Sequence, residues 1–249
     1  MTDLLTRGVD HGPYDASELE SGTLEDVIGG SLDDERHSAE KSVRVWAKSA
    51  TFLIPRGSHV QEEFSTDDES EKADALHISV PGGDLHDNVT VVVSIFSANS
   101  ESRLWSDSEY KNVYALLGPG ARKEVRMGLW GPIVAGSTSN QSVYVLGADG
   151  PRWMIKIAAY AAEMNDAAVS RVKAILDSVI VNRPRNEAIP EGQPLDLSVF
   201  NTSGASAVDV PLVDHESRSM SGSSPIESLR RVSEVVASGR PVDDAFTDA

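Results

Sequence analysis

The chain has 249 residues, a formal net charge of −17 and no cysteine. An acidic excess of that size repels phosphate backbones and anionic bilayers, which argues against nucleic acid and membranes as partners. Without thiols there are no disulfides, thiolate metal sites or cysteine nucleophiles.

Apolar residues are unevenly spread, and that divides the chain. Residues 1–42 and 183–249 are rich in Asp, Glu, Ser and Gly and poor in aromatics. They bury too little apolar surface to offset chain entropy, and residues 44–182 are expected to fold alone. The expectation is a disordered acidic arm over 1–42, one domain over 43–197, and a flexible tail over 198–249. Every Trp lies inside the domain. No 18-residue apolar window occurs and the first residues lack a leader-like apolar run, so the expected location is cytoplasmic.

Along the chain, Ala50 to Pro55 reads as a strand that stops at Pro55-Arg56-Gly57, and His59 to Phe64 returns from the turn. Carboxylates dominate Glu62 to Asp74, most of which reads as a solvated loop. Ala75 to Val80 alternates into a strand. Val89 to Ser97 is β-branched and nearly continuous, as a central strand should be. A helix is expected over about 107–117, with Ser106 as N-cap, Glu109 closing a capping box, and Trp105 stapled onto Tyr110. Tyr110, Val113, Tyr114 and Leu117 make its apolar face. Strands recur at Lys123 to Met127, Pro132 to Ser137, Ser142 to Gly147 and Trp153 to Tyr160. A second helix, Asp166 to Ser178, is capped by Asn165 and turns Val169, Val172, Ile175, Leu176 and Val179 inward. A short strand, Val179 to Asn182, follows it.

Strands in runs, each followed by a helix, predict an α+β fold: a curved antiparallel sheet flanked by two helices. By analogy this is a PsbP-like sandwich, which carries no information about activity. Between Val145 and Trp153 an apolar run enters the turn Asp149-Gly150-Pro151 and a second run leaves it. Gly150 is expected to supply a positive φ there, with Pro151 fixing the exit and Trp153 filling the core.

The string Asp149-Gly150-Pro151-Arg152-Trp153, with Gly12-Pro13-Tyr14-Asp15, Val179 to Val181, Arg183, and Pro190-Glu191-Gly192-Gln193-Pro194-Leu195, resembles a bacterial family, domain of unknown function 3710. That family is found mainly in actinobacteria. The matching pieces span roughly residues 12 to 197. The resemblance implies no reaction, cofactor or catalytic residue, and the acidic segment Glu62 to Asp74 is longer than a family hairpin should be.

No constellation of catalytic residues emerges. The histidines show no i,i+4 spacing, although His59 and His77 on neighbouring strands could approach the Asp84-His86-Asp87 loop. Asp67, Asp68, Glu69, Glu71 and Asp74 lack the spaced oxygens and central Gly of a calcium loop. Gly128-Leu129-Trp130-Gly131-Pro132 has no Lys and no following helix, so it reads as a turn with an aromatic plug. No serine sits in a nucleophile elbow. Neither a metal nor a cofactor is expected.

Two functions follow from these readings. The first is a non-enzymatic protein-binding or adaptor module. The second is a small-ligand receptor or enzyme with a pocket at the Asp149–Trp153 corner, where Asp149, Arg152 and Trp130 would make the contacts; the competing reading of Asp149 and Arg152 is a brace for the turn. The partner is an unidentified protein, reached through the domain surface or the tail, and self-association is compatible with both. In the tail, Ser224, Pro225 and Glu227 open an amphipathic helix over 225–238, which Gly239 and Pro241 end. Ile226, Leu229, Val232, Val235 and Val236 would form its docking stripe on a partner, a second copy or its own domain.

Overall fold

The computed structural model describes residues 12–16, 42–64, 72–82, 88–183 and 188–200. In chain order the strands are β1 (Tyr14–Asp15), β2 (Ser42–Trp46), β3 (Ala50–Pro55), β4 (His59–Phe64), β5 (Ala73–Val80) and β6 (Val89–Ser97). A π-helical turn, Trp105–Glu109, then runs into α1 (Tyr110–Leu116). The chain continues through β7 (Arg122–Met127), β8 (Pro132–Ser137), β9 (Ser142–Asp149), β10 (Trp153–Ala161), α2 (Asp166–Asp177) and β11 (Ile180–Val181). The α+β expectation holds, with each helix placed after a run of strands.

The strands form two sheets. Seven make an antiparallel sheet in the order β4-β5-β6-β10-β9-β8-β7, and four make a smaller one in the order β1-β11-β3-β2. Among the described strands only the β1–β11 pair is parallel. One face of the large sheet packs against the small sheet and α2, where Phe52, Ile54, Ile155, Ile157, Val172 and Ile175 meet. The other face is covered by the π-turn and α1, through Trp105, Val113 and Leu117. The large sheet is therefore the middle layer of three, and β10, near its centre, is buried along its whole length. Trp153, Ile155, Ile157 and Ala159 turn to one core while Met154, Ala158 and Tyr160 turn to the other, as strand alternation requires.

The entry to the first helix differs from the expected capping box. Leu104, already helical, precedes the π-turn and makes no side-chain cap, and Glu109 is drawn away to another partner. Trp105 is no peripheral staple: it is completely buried and donates its indole N–H to Pro132 O at 2.8 Å. The second helix follows expectation, with Asn165 accepting from Ala168 N at 2.9 Å.

The domain also reaches beyond its expected start at residue 43. Tyr14 pairs with Ile180 and Asp15 with Val181, so a piece of the acidic arm belongs to the small sheet. Two residues are too few to show a period of two, which is why this strand has no sequence signal. At the other end Leu195 and Leu197 are buried and bind Ile95 O at 2.8 Å and Ala73 O at 2.7 Å. A fragment cut to 44–182 is therefore expected to melt well below one spanning 12–200. Each lost leucine accounts for about 1.5–3 kcal/mol. Equal melting temperatures in calorimetry would show that the flanking segments contribute nothing.

Candidate functional site

The β9–β10 corner is held from several directions at once. Asp149 ends β9 and accepts three hydrogen bonds from the start of the helical segment. Its Oδ1 takes Trp105 N–H at 2.8 Å, and its Oδ2 takes Ser106 N–H at 2.9 Å and Ser106 Oγ–H at 2.7 Å. A carboxylate beside unpaired helical N–H groups is the ordinary N-terminal cap, supplied here from more than forty residues away. Asp149 thus braces the helix rather than Arg152. Asp149→Ala should cost about 2 kcal/mol, read from urea unfolding, with Asp149→Asn recovering part of it. An unchanged midpoint for the alanine variant would show that the helix caps itself.

Gly150 also does something other than expected. Its φ is not positive. A Cβ there would lie 2.1 Å from Cε2 of Trp153, so the ring packed on its Cα is what excludes a side chain. Pro151 is exposed in the turn, which Gly150 N–H closes onto Trp153 O at 2.8 Å. Trp153 fills the larger core and donates its indole N–H to Asp15 Oδ2 at 2.8 Å. Asp15 is itself buried. The Gly-Pro-Tyr-Asp and Asp-Gly-Pro-Arg-Trp strings are therefore one clasp, joined across 138 residues.

Trp130, on the β7–β8 turn, makes a parallel bond from its indole N–H to Asp177 Oδ1 at 3.0 Å. Asp177 O accepts Gly12 N–H at 2.7 Å, and a Cβ on Gly12 would collide with that oxygen. Arg183 fastens the remaining loops, donating to Ala98 O, Arg152 O and Ile189 O. Burial and then the neighbouring Arg152 charge lower the Arg183 pKa from its ordinary value, while Asp15 opposes them. Of the contact residues expected at this corner, Arg152 is exposed, Asp149 caps the helix and Trp130 anchors α2. The Asp149 carboxylate and the Trp130 indole N–H are thus bonded to different elements, the first helical segment and α2.

One charged pair had no sequence signal. Lys156, in the middle of β10, is 2% exposed and donates to Glu109 Oε1 at 2.9 Å. Its Nζ also stands 5.2 Å from the centre of the Phe96 ring. Burial lowers the Lys156 pKa, and Glu109 opposes that shift without cancelling it. Among the histidines, His77 meets Glu63 at 2.6 Å, while His59 lies opposite Ser79. Among the described residues no group of three His, Asp or Glu is placed to hold a metal ion. The Asp84-His86-Asp87 loop, Asp67 to Glu71 and the tail stripe from Ile226 to Val236 lie outside the described residues. No helix among the described residues is long and apolar enough to cross a membrane.

Accessible apolar side chains lie elsewhere: Trp46 on β2 and Phe200 are exposed beside each other, and a longer run lies on β7. This strand is an edge of the large sheet, paired only with β8 among the described strands. Val125, Met127 and Leu129 are 43%, 77% and 69% exposed. Their i, i+2 spacing starts a stripe on one face of the strand and carries it into the turn. Lys123, on the same face, is turned back to Tyr114 O and Leu117 O at 3.1 and 2.8 Å, closing the end of α1. On the opposite face Glu124 and Arg126 form an exposed ion pair.

A family model described as "Protein of unknown function (DUF3710)" matches residues 12–204. No curated protein matches the chain significantly. Among solved structures, a protein of Bacteroides thetaiotaomicron VPI-5482 is similar at 10% identity and a TM-score of 0.36, over 60% of this chain and 51% of that one. The chain thus spans about half the length of that protein. LpqN, described as involved in cell envelope biogenesis of Mycobacterium tuberculosis, is similar at 12% identity and a TM-score of 0.33. That match covers 57% of this chain and 91% of LpqN.

Proposed function

We propose that this chain, which belongs to the family described as Protein of unknown function (DUF3710), is a protein-binding module that presents the β7 edge of its large sheet to a partner chain. The observation that carries the reading is the apolar stripe Val125, Met127 and Leu129 on an edge strand with no second neighbour among the described residues. Soluble proteins ordinarily blunt such an edge with charge, proline or a covering loop, because unpaired N–H and C=O groups recruit other strands. β7 carries charge at Arg122, Lys123, Glu124 and Arg126, yet Val125 and Met127 still stand exposed between those charges. Exposed apolar residues in a row on an edge mark a surface that is covered in use. The clasp at the β9–β10 corner supports the same reading, since its carboxylates and indoles are committed to holding the scaffold rigid.

The test is photo-crosslinking in cells from an unnatural residue placed at Met127. Discrete protein adducts are expected at 127, and they should disappear when Val125→Pro is added. Adducts that persist with Val125→Pro, or that form equally from the exposed control position Glu101, would overturn the reading.

A further inference from the structure

The hydrogen-bond parity of β7 sets which registers an added strand can take. Gly128 N–H donates to Gly131 O at 2.8 Å, so those two residues form a bonded pair at the mouth of the hairpin. Bonded and non-bonded pairs alternate along an antiparallel ladder. With Arg126 opposite Ile133, Glu124 opposite Ala135 and Arg122 opposite Ser137, the even-numbered residues of β7 bond to β8. Met127 falls in a non-bonded pair with Pro132, which has no N–H to give. Lys123, Val125 and Met127 therefore direct their backbone N–H and C=O groups outward from the edge.

We infer that this edge pairs with the same edge of a second copy, antiparallel about a two-fold axis at Val125; the inference rests on the protein-binding reading above. Outward-pointing groups must meet outward-pointing groups, so a two-fold axis must pass through a residue rather than between two. Centred on Val125, the register bonds Val125 to its counterpart and Lys123 to Met127 of the other copy. It also sets Glu124 directly opposite Arg126 twice over, in non-bonded pairs where side chains come closest. The alternatives are poorer. An axis at Glu124 opposes two glutamates and two Arg122–Arg126 pairs, and one at Arg126 opposes two arginines. One at Lys123 pairs Arg122 with Glu124 but opposes two lysines and leaves Val125 to Met127 facing residues that precede β7. An axis at Met127 runs off the strand into the Gly128 turn. The charge pattern is thus self-complementary in the one register that pairs the strand along its length. An isologous contact of this kind gives a closed dimer and removes the edge from further pairing.

The experiment is light scattering on the full chain during size-exclusion chromatography, over a dilution series. Wild type should run at twice the 26.7 kDa chain mass and dissociate on dilution. Glu124→Arg alone and Arg126→Glu alone each place like charges opposite each other twice, and each should raise the dissociation constant about tenfold or more. Mixing those two variants should restore a dimer containing one of each, because every opposed pair is then complementary. Val125→Pro removes an outward N–H without touching a bond to β8, and should leave a monomer with an unchanged circular dichroism spectrum. A monomeric wild type at every concentration would overturn the second-copy assignment, and so would failure of the mixture to dimerise. In either case, cellular adducts at Met127 that remain sensitive to Val125→Pro would preserve the protein-binding reading with a different partner.

Discussion

Trp153→Ala is expected to lower stability by about 3–5 kcal/mol, the range for removing a buried tryptophan. The ring is 2% exposed, lies in the core between the two sheets and packs directly on the Cα of Gly150. Truncation opens a cavity beneath a corner whose backbone cannot collapse into it, because Gly150 is tied to residue 153 and Asp149 to the helical segment. It also leaves the buried Asp15 carboxylate without its indole N–H. Trp153→Phe separates the two contributions by keeping most of the apolar area while removing that donor. Its cost should be about 1.5–3 kcal/mol, the range for one hydrogen bond to a carboxylate. Guanidinium unfolding of both variants, with Asp15→Asn alongside, checks the division. An alanine variant that unfolds with wild type would mean that the β1 clasp does not form.

Most strands and both helices were legible because each announces itself within about ten residues. Val89 to Ser97 is β-branched almost throughout, and the second helix has its cap, its 3–4 spacing and its terminus in consecutive sequence. What stayed hidden is contact between distant segments. Asp149 was recognisable as a brace, but the helix it caps begins more than forty residues earlier. Gly150 was recognisable as an obligatory glycine, yet the reason is an aromatic ring three residues on, not a left-handed turn. Ser42–Trp46 went unread because its alternation is short and adjoins an acidic segment. Lys123 to Met127 was legible as a strand and Leu129 as part of the turn after it, but not the exposed apolar stripe they share. Only the strand order showed that its strand is an edge.

Lys156 should be the second large effect, and it carries a pH signature. Lys156→Ala takes the buried cation away from Glu109, whose Oε2 still accepts from Asn112 Nδ2 at 3.1 Å. Breaking a buried pair costs about 3–5 kcal/mol, and the lower end is expected here because the Glu109 side chain is still 16% exposed. Replacing both residues together, Lys156→Met with Glu109→Leu, removes the orphaned charge as well, so the double variant should be far more stable than Lys156→Ala. The sign of the pH dependence follows from the burial of Nζ, which holds the folded-state pKa below its ordinary value of 10.5. As pH rises, the folded protein gives up this proton before the unfolded chain does. Between the lowered pKa and 10.5 the unfolded state therefore binds more protons, and this site's contribution to stability increases with pH. Below that window the penalty for burying the charge is present in full and constant. Unfolding free energies of wild type and Lys156→Met, measured in parallel up to about pH 10.5, should thus diverge in favour of wild type at the alkaline end. A difference that stays flat or shrinks would place the ammonium in water, outside the layer between α1 and the sheet.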